Sequence, residues 1–148
     1  MKVRKVDSKD RDEWARMRNL PWDSSLTEHL VEIERYLSNY EKNIVNIFVL
    51  EKNHGRLGGF IELNIRNYAE GSELGVIPYI EGWYVDPDIR NNGHGKQLIT
   101  MAEDWAIDNG FKELASDTEL ENITSVAIHK ASGFQEVERI VCFIKKII

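Results

Sequence analysis

Apolar residues recur along this chain with two different periods, and the switches between them mark out its elements. Lys2 to Val6 reads as a short strand whose apolar members are Val3 and Val6. Ser8 or Asp10 is placed to cap a helix that carries Trp14, Met17 and Arg18 as far as Leu20. The run Pro21-Trp22-Asp23-Ser24-Ser25 breaks it. A second helix is predicted from Leu26 to Tyr40, with Leu30, Ile33 and Leu37 at helical spacing, and Glu28, Glu32 and Glu34 on a solvated face. Ile44 to Glu51 is β-branched and apolar, as a strand should be. His54-Gly55-Arg56 forms the turn of a hairpin that returns through Leu57 to Ile65. After an exposed loop from Tyr68 to Glu73, a long strand runs from Val76 to Val85.

The second half alternates strand and helix. Leu98, Ile99, Ala102, Trp105 and Ala106 line one face of a helix predicted from Gly95 to Asn109, which Gly110 stops. Glu113 to Ser116 is a short strand, Ile123 to Ser132 a helix ended by Gly133, and Phe134 to Ile147 a last strand. Hairpins first and strand–helix–strand–helix–strand afterwards predict an α+β fold. Its centre is a mixed, mostly antiparallel sheet flanked by helices. With 148 residues and no repeat or linker, one domain spanning 1–148 is expected, long enough to bury a core.

Composition narrows the class without naming it. The chain is 42% hydrophobic and 30% charged, with a net charge of −6. That balance argues against a nucleic-acid binder and suits a polycationic partner. No stretch has the apolar length of a membrane span, and the first residues lead into no signal region, so a cytoplasmic location is expected. The single cysteine, Cys142, excludes an internal disulfide framework and is read as a packing residue of the last strand.

The chemistry concentrates after the long strand, in Val85-Asp86-Pro87-Asp88-Ile89-Arg90-Asn91-Asn92-Gly93-His94-Gly95-Lys96. Glycines let a backbone approach a ligand closely and adopt positive φ, and amides exposed at a helix N-terminus attract anions. Arg90-x-x-Gly93-x-Gly95 at a strand-to-helix junction therefore describes a pyrophosphate pocket. There is no Gly-Lys-Thr/Ser ending as in a P-loop, and the spacing is not Gly-x-Gly-x-x-Gly.

The whole arrangement resembles the GNAT superfamily of acyl-CoA-dependent N-acetyltransferases. The resemblance is carried by Glu81-Gly82-Trp83-Tyr84-Val85-x-Pro87, then Arg90-x-x-Gly93-x-Gly95, Asn122-x-x-Ser125 and Ala131-Ser132-Gly133-Phe134. It implies acetyl-CoA as the acetyl donor, no metal, and a sheet splayed at the acetyl-CoA strand. The pantetheine arm would pair with Trp83, Tyr84 and Val85. The pyrophosphate would rest on Arg90, Asn91, Asn92, Gly93, His94, Gly95 and Lys96. Asn122 would both cap its helix and bond the pantetheine. Gly82, beside Glu81, is a candidate bulge that splays the strand.

Glu81 is a carboxylate in an apolar strand, where partial burial is expected to raise its pKa. It is a candidate base, an orienter of the substrate's ammonium, or simply the partner of a cation. His129 stands where many members of the superfamily carry a tyrosine acid, so it is either the general acid or a cofactor contact.

Within the superfamily the chain looks most like the aminoglycoside 6'-N-acetyltransferases. Glu113-Leu114-Ala115-Ser116-Asp117-Thr118, Glu136-x-Glu138-Arg139, Leu20-Pro21-Trp22 and Ile65-Arg66-Asn67-Tyr68 add to the likeness. It implies that Asp117 and Glu81 hold the drug's ammonium groups, that Trp22 and Tyr68 form apolar walls, and that Glu138 is an outer contact. Acetylation would cancel a positive charge on the antibiotic and so confer resistance. The loops at 21–28 and 67–75 match that group least, which leaves another small amine, or a non-catalytic CoA sensor, as alternatives. Relatives are often homodimers, and Ile140-Val141-Cys142-Phe143-Ile144 suits either an interface or the sheet.

Overall fold

The computed structural model describes residues 1–22, 25–39 and 44–148. Asp23 and Ser24 of the expected break, and Tyr40 at the expected end of the second helix, lie outside them. In chain order the elements are β1 (Lys2–Lys5), α1 (Arg11–Arg18), α2 (Leu26–Leu37), β2 (Asn46–Glu51), β3 (Leu57–Arg66), β4 (Ile77–Val85), α3 (His94–Asp108), β5 (Ala115–Ser116) and α4 (Ile123–Ala131). The strands form one sheet in the order β1-β2-β3-β4-β5. The first three pairings are antiparallel and β4–β5 is parallel. This is the mixed, mostly antiparallel sheet expected of the sequence.

Each face of the sheet is covered by helices, which explains why β2 and β3 read as continuous apolar runs. Ile47, Val49 and Phe60 point into one core with Trp14, Met17 and Ile33 of α1 and α2. Their neighbours Phe48, Leu50, Ile61 and Leu63 point into the other with Leu98, Ile99 and Ala102 of α3. Strand alternation thus sorts one run of sequence into two cores.

The helix starts follow capping chemistry. Asp7, rather than Ser8 or Asp10, accepts the first amide bond of the 3-10 turn that leads into α1, and Asp10 closes that box. Ser25 and Glu28 form a reciprocal capping box on α2. The glutamates expected on a solvated face are all engaged: Glu28 in this box, Glu34 with Arg11, and Glu32 with Arg18 at 2.6 Å.

Phe134 to Ile147 forms no strand. Phe134 is half-buried, but the segment beyond it is exposed, with Phe143 92% and Ile144 96% accessible. A strand needs a paired ladder, and β5, the edge nearest in sequence, is only two residues long. Cys142 is accordingly exposed rather than packed.

A carboxyl lies inside the first core. Glu62 of β3 is 2% exposed; it accepts from the Trp14 indole N–H at 2.8 Å and lies 3.1 Å from Nε of Arg18. Burial pushes Glu62 up to about 7 against the pull of Arg18 and Trp14. A raised folded-state pKa stabilises below the ordinary glutamate value and loses that contribution as pH rises through about 7. Wild type is therefore expected to lose about 3 kcal/mol relative to Glu62→Gln between pH 4 and 7.5, at ~1.4 kcal/mol per pKa unit. Urea unfolding of both proteins across that range measures it.

Candidate active site

The site is built around an irregularity in β4. Glu62 pairs with Gly82 and Leu63 with Ile80, so Glu81 is one residue more than β3 can match. Such a bulge puts two successive side-chain positions on one face. Glu81 meets Asn64 and Arg66 of β3, while Gly82 lies beneath Trp22. A Cβ on Gly82 would sit 2.4 Å from the Trp22 ring, so the glycine is required for close approach. On the other edge, β5 pairs with Tyr79 and Ile80 only. From Glu81 to Val85 that edge of β4 has no strand partner among the described residues, and this gap is the expected splay.

The loop after β4 is held from below. Asp86, 6% exposed, receives both terminal nitrogens of Arg16 at 3.1 Å and Lys52 at 3.1 Å. Arg16 thereby ties α1 to the start of the loop. Arg90 donates from Nε to the Val85 carbonyl at 2.8 Å. Asn91 (φ 64°) and Gly93 (φ 81°) turn the chain through the left-handed region into α3. No acceptor within the described residues engages the amides of Asn91 to Lys96, and Gly93 gives α3 no side-chain cap. Gly95 lies against Trp83, where a Cβ would stand 3.2 Å from the ring. The Trp83 indole N–H is buried without a partner among the described residues. A free strand edge, a row of unpaired amides at a helix start and an orphaned indole donor fit a ligand with an amide-bearing arm and a pyrophosphate.

Asn122 accepts from the Ser125 amide at 3.1 Å, capping α4 as expected and leaving its NH2 group for other work. His129 is bonded at both nitrogens: Nδ1 to the Ser125 carbonyl at 2.8 Å and Nε2 to the Ser116 hydroxyl at 2.8 Å. A carbonyl only accepts, so Nδ1 carries a proton. The ring also meets Trp83 and Phe134 edge-on. His129 thus fastens α4 to β5 and to the β4 edge.

The acidic side of the cleft forms a chain of contacts that composition alone does not reveal. Asp117 accepts from the Tyr79 hydroxyl at 2.6 Å. The Tyr79 ring supports the Arg66 guanidinium 3.6 Å above it. Arg66 donates from Nε and Nη2 to the two oxygens of Glu81, both at 2.7 Å, and Asn64 adds a bond at 3.1 Å. Burial would raise the pKa of Glu81, but the bonds from Arg66 and Asn64 outweigh it and hold the carboxyl below its usual range. This is opposite to the expected rise. Burial and then Asp117 push the Tyr79 phenol up, so it remains a donor.

Arg66, Tyr79 and Asn64 carried no role in the sequence reading. The signal available was strand alternation, which places Tyr79 beside Glu81 and Asn64 beside Arg66. A cavity of about 460 Å³ opens beside this chain, lined among others by Arg66, Tyr79, Asp117, His129, Glu70 and Glu138. Glu81 lies behind Arg66, outside that lining. Trp22 stands over Gly82, braced by Arg18 at 4.8 Å from its ring, and Tyr68 is exposed beyond the cavity's lining.

The profile of the acetyltransferase (GNAT) family matches residues 14–134. The chain belongs to that family. Aminoglycoside N(6')-acetyltransferase type 1 of Klebsiella aerogenes is 40% identical over 146 residues, covering 98% of this chain and 96% of the relative. The apo crystal structure of aminoglycoside antibiotic 6'-N-acetyltransferase AAC(6')-IG from Acinetobacter haemolyticus superposes with a TM-score of 0.90 at 34% identity, covering all of both chains. A structure of AAC(6')-Iy in complex with the bisubstrate analogue CoA-S-monomethyl-acetylneamine superposes with a TM-score of 0.88 at 30% identity, covering 98% of this chain and 97% of that one. The chain is thus an acetyltransferase. Among the described residues no helix is long and apolar enough to cross a membrane, and no cluster of His, Cys, Asp and Glu is placed to hold a metal ion.

Adding a methyl at Gly82 tests the geometry directly. Gly82→Ala is expected to drive Trp22 off the strand and destabilise the protein by about 1–3 kcal/mol, as overpacking does. Denaturant unfolding followed by tryptophan fluorescence reads both effects.

Proposed function

We propose that this protein transfers the acetyl group of acetyl-CoA to the 6'-amino group of aminoglycoside antibiotics and so confers resistance. The carrying observation is the cavity beside the open edge of β4, where Glu70, Asp117, Glu136 and Glu138 outnumber Arg66, Lys130 and Arg139, in a chain whose relatives bear that activity in their names. A polycation is drawn to such a cavity, and the net charge of −6 favours the encounter most at low salt.

Bound acetyl-CoA supplies a thioester whose carbonyl is open to an amine. This chain's part is to hold and orient. Trp83, Tyr84 and Val85 offer strand-edge groups to the pantetheine arm, with Asn122 across the gap. The amides of Asn91 to Lys96, with Arg90 beside them, receive the pyrophosphate. A main-chain N–H on the β4 edge is suited to steady charge developing on the carbonyl oxygen.

Asp117 holds one ammonium of the drug and Glu138 a more distant one, while Trp22 and Tyr68 flank the sugar rings. Glu81, kept ionised, orients the reacting amine or takes its proton through water. A thiolate departs readily, and any proton from His129 Nε2 has to pass through the Ser116 hydroxyl. A reaction drawing on acetyl-CoA is placed in the cytoplasm.

A homodimer is proposed as the working form. The segment after Phe134 exposes Val141, Phe143, Ile144 and Ile147, apolar surface that a second copy of the chain would cover.

Thiol release from acetyl-CoA, with kanamycin, tobramycin and a polyamine supplied separately, tests the activity. Saturable turnover on both antibiotics is expected, with Asp117→Ala raising the acceptor KM about tenfold or more, the scale of a lost charged contact. Turnover confined to the polyamine would replace the antibiotic reading with that of another amine acetyltransferase. Stabilisation by acetyl-CoA without turnover would point to a sensor.

A further inference from the structure

Arg66 stands between the cavity and Glu81, and its bonding is that of a substitute ligand. Its guanidinium spans the carboxylate with two bonds of 2.7 Å, and its central carbon stands 3.6 Å from the centre of the Tyr79 ring. Arg66 and Tyr79 line the cavity while Glu81 does not. An amine entering beside Asp117 therefore meets a cation already seated on Glu81. We propose that Arg66 is an internal counter-ion that the substrate's ammonium must displace from Glu81, and that this exchange selects polycationic acceptors over simple amines. The inference rests on the cleft being the aminoglycoside site.

The physical basis is the contrast between two ion pairs on the same face of the sheet. Arg18 is clamped near the buried Glu62, with its side chain 8% exposed. Arg66 and Glu81 are 39% and 26% exposed, so water screens their attraction and offsets its loss. Such a pair can be exchanged for another cation. Released from Glu81, the guanidinium still shares the cavity with Glu70, Asp117, Glu136 and Glu138, which outnumber Lys130 and Arg139 there, so its charge is not stranded.

A substrate with several ammoniums anchors one on the cavity wall, and the reacting amine then competes with Arg66 at high effective concentration. A small monoamine has no second anchor and competes from solution. Arg66 thus penalises simple amines more than polycations.

The test compares wild type with Arg66→Met and Arg66→Lys, using tobramycin and glucosamine as acceptors in the thiol-release assay. Arg66→Met is expected to lower the glucosamine KM about tenfold or more, to lower the tobramycin KM less, and to change kcat less than KM. The acetyl-CoA KM should stay within about twofold, because the pyrophosphate loop does not touch Arg66. Arg66→Lys, which keeps the charge and loses the fork, should remain selective. If Arg66→Met raises the KM for both acceptors, Arg66 is a fixed support of Glu81 and the proposal is overturned. Equal KM changes for the two acceptors would likewise overturn selection.

Binding of tobramycin measured by calorimetry supplies a readout that does not need turnover. Tighter binding by Arg66→Met supports exchange and weaker binding contradicts it. Failure of wild type to acetylate or bind tobramycin would instead sink the underlying aminoglycoside reading.

Discussion

One surplus residue in β4 organises the rest of the cleft. Because Glu81 has no partner in β3, the strand bulges between Ile80 and Gly82, and pairing with β5 stops where the bulge begins. Beyond that point the strand keeps β3 on one side and exposes its hydrogen-bonding edge on the other. The same insertion brings Glu81 to Asn64 and Arg66 and lays Gly82 under Trp22. A regular strand would bury that edge against β5 and leave no opening for a donor arm.

Charge placement around this frame follows burial. Deep under α1, Glu62 and Arg18 are enclosed and Trp22 rests against the arginine. Under the loop, Arg16 and Lys52 fix Asp86 and thereby the backbone that turns into α3. On the cavity side Arg66 and Glu81 are partly exposed, in a chain of contacts that begins at Asp117 and runs through the buried Tyr79. Arg16 and Lys52 hold the scaffold under the loop, while Arg66 lines the cavity with Glu81 behind it.

Much of this was legible in the sequence. Alternation in β2 and β3, helical spacing in α2 and α3, and the two glycines after β4 each follow from local geometry, and the structure places the corresponding elements. Glu81 and Gly82 announced the bulge because a carboxylate and a glycine interrupt an apolar strand. Arg66 and Tyr79 were hidden because their role arises from cross-strand neighbours, which a linear pattern does not show. The pKa of Glu81 departs from its sequence-based expectation for the same reason: burial is visible as surrounding apolar residues, whereas a cation 15 positions earlier is not. The apolar segment after Phe134 reads as a strand, but among the described residues it pairs with none, and the neighbouring edge strand β5 is only two residues long.

The most direct test of the central claim is amide hydrogen exchange with and without acetyl-CoA. If the open β4 edge and the loop amides receive the donor, protection should rise in two separate segments, Trp83 to Val85 and Asn91 to Lys96. Protection confined to other segments, or unchanged exchange in both under saturating acetyl-CoA, would contradict the account.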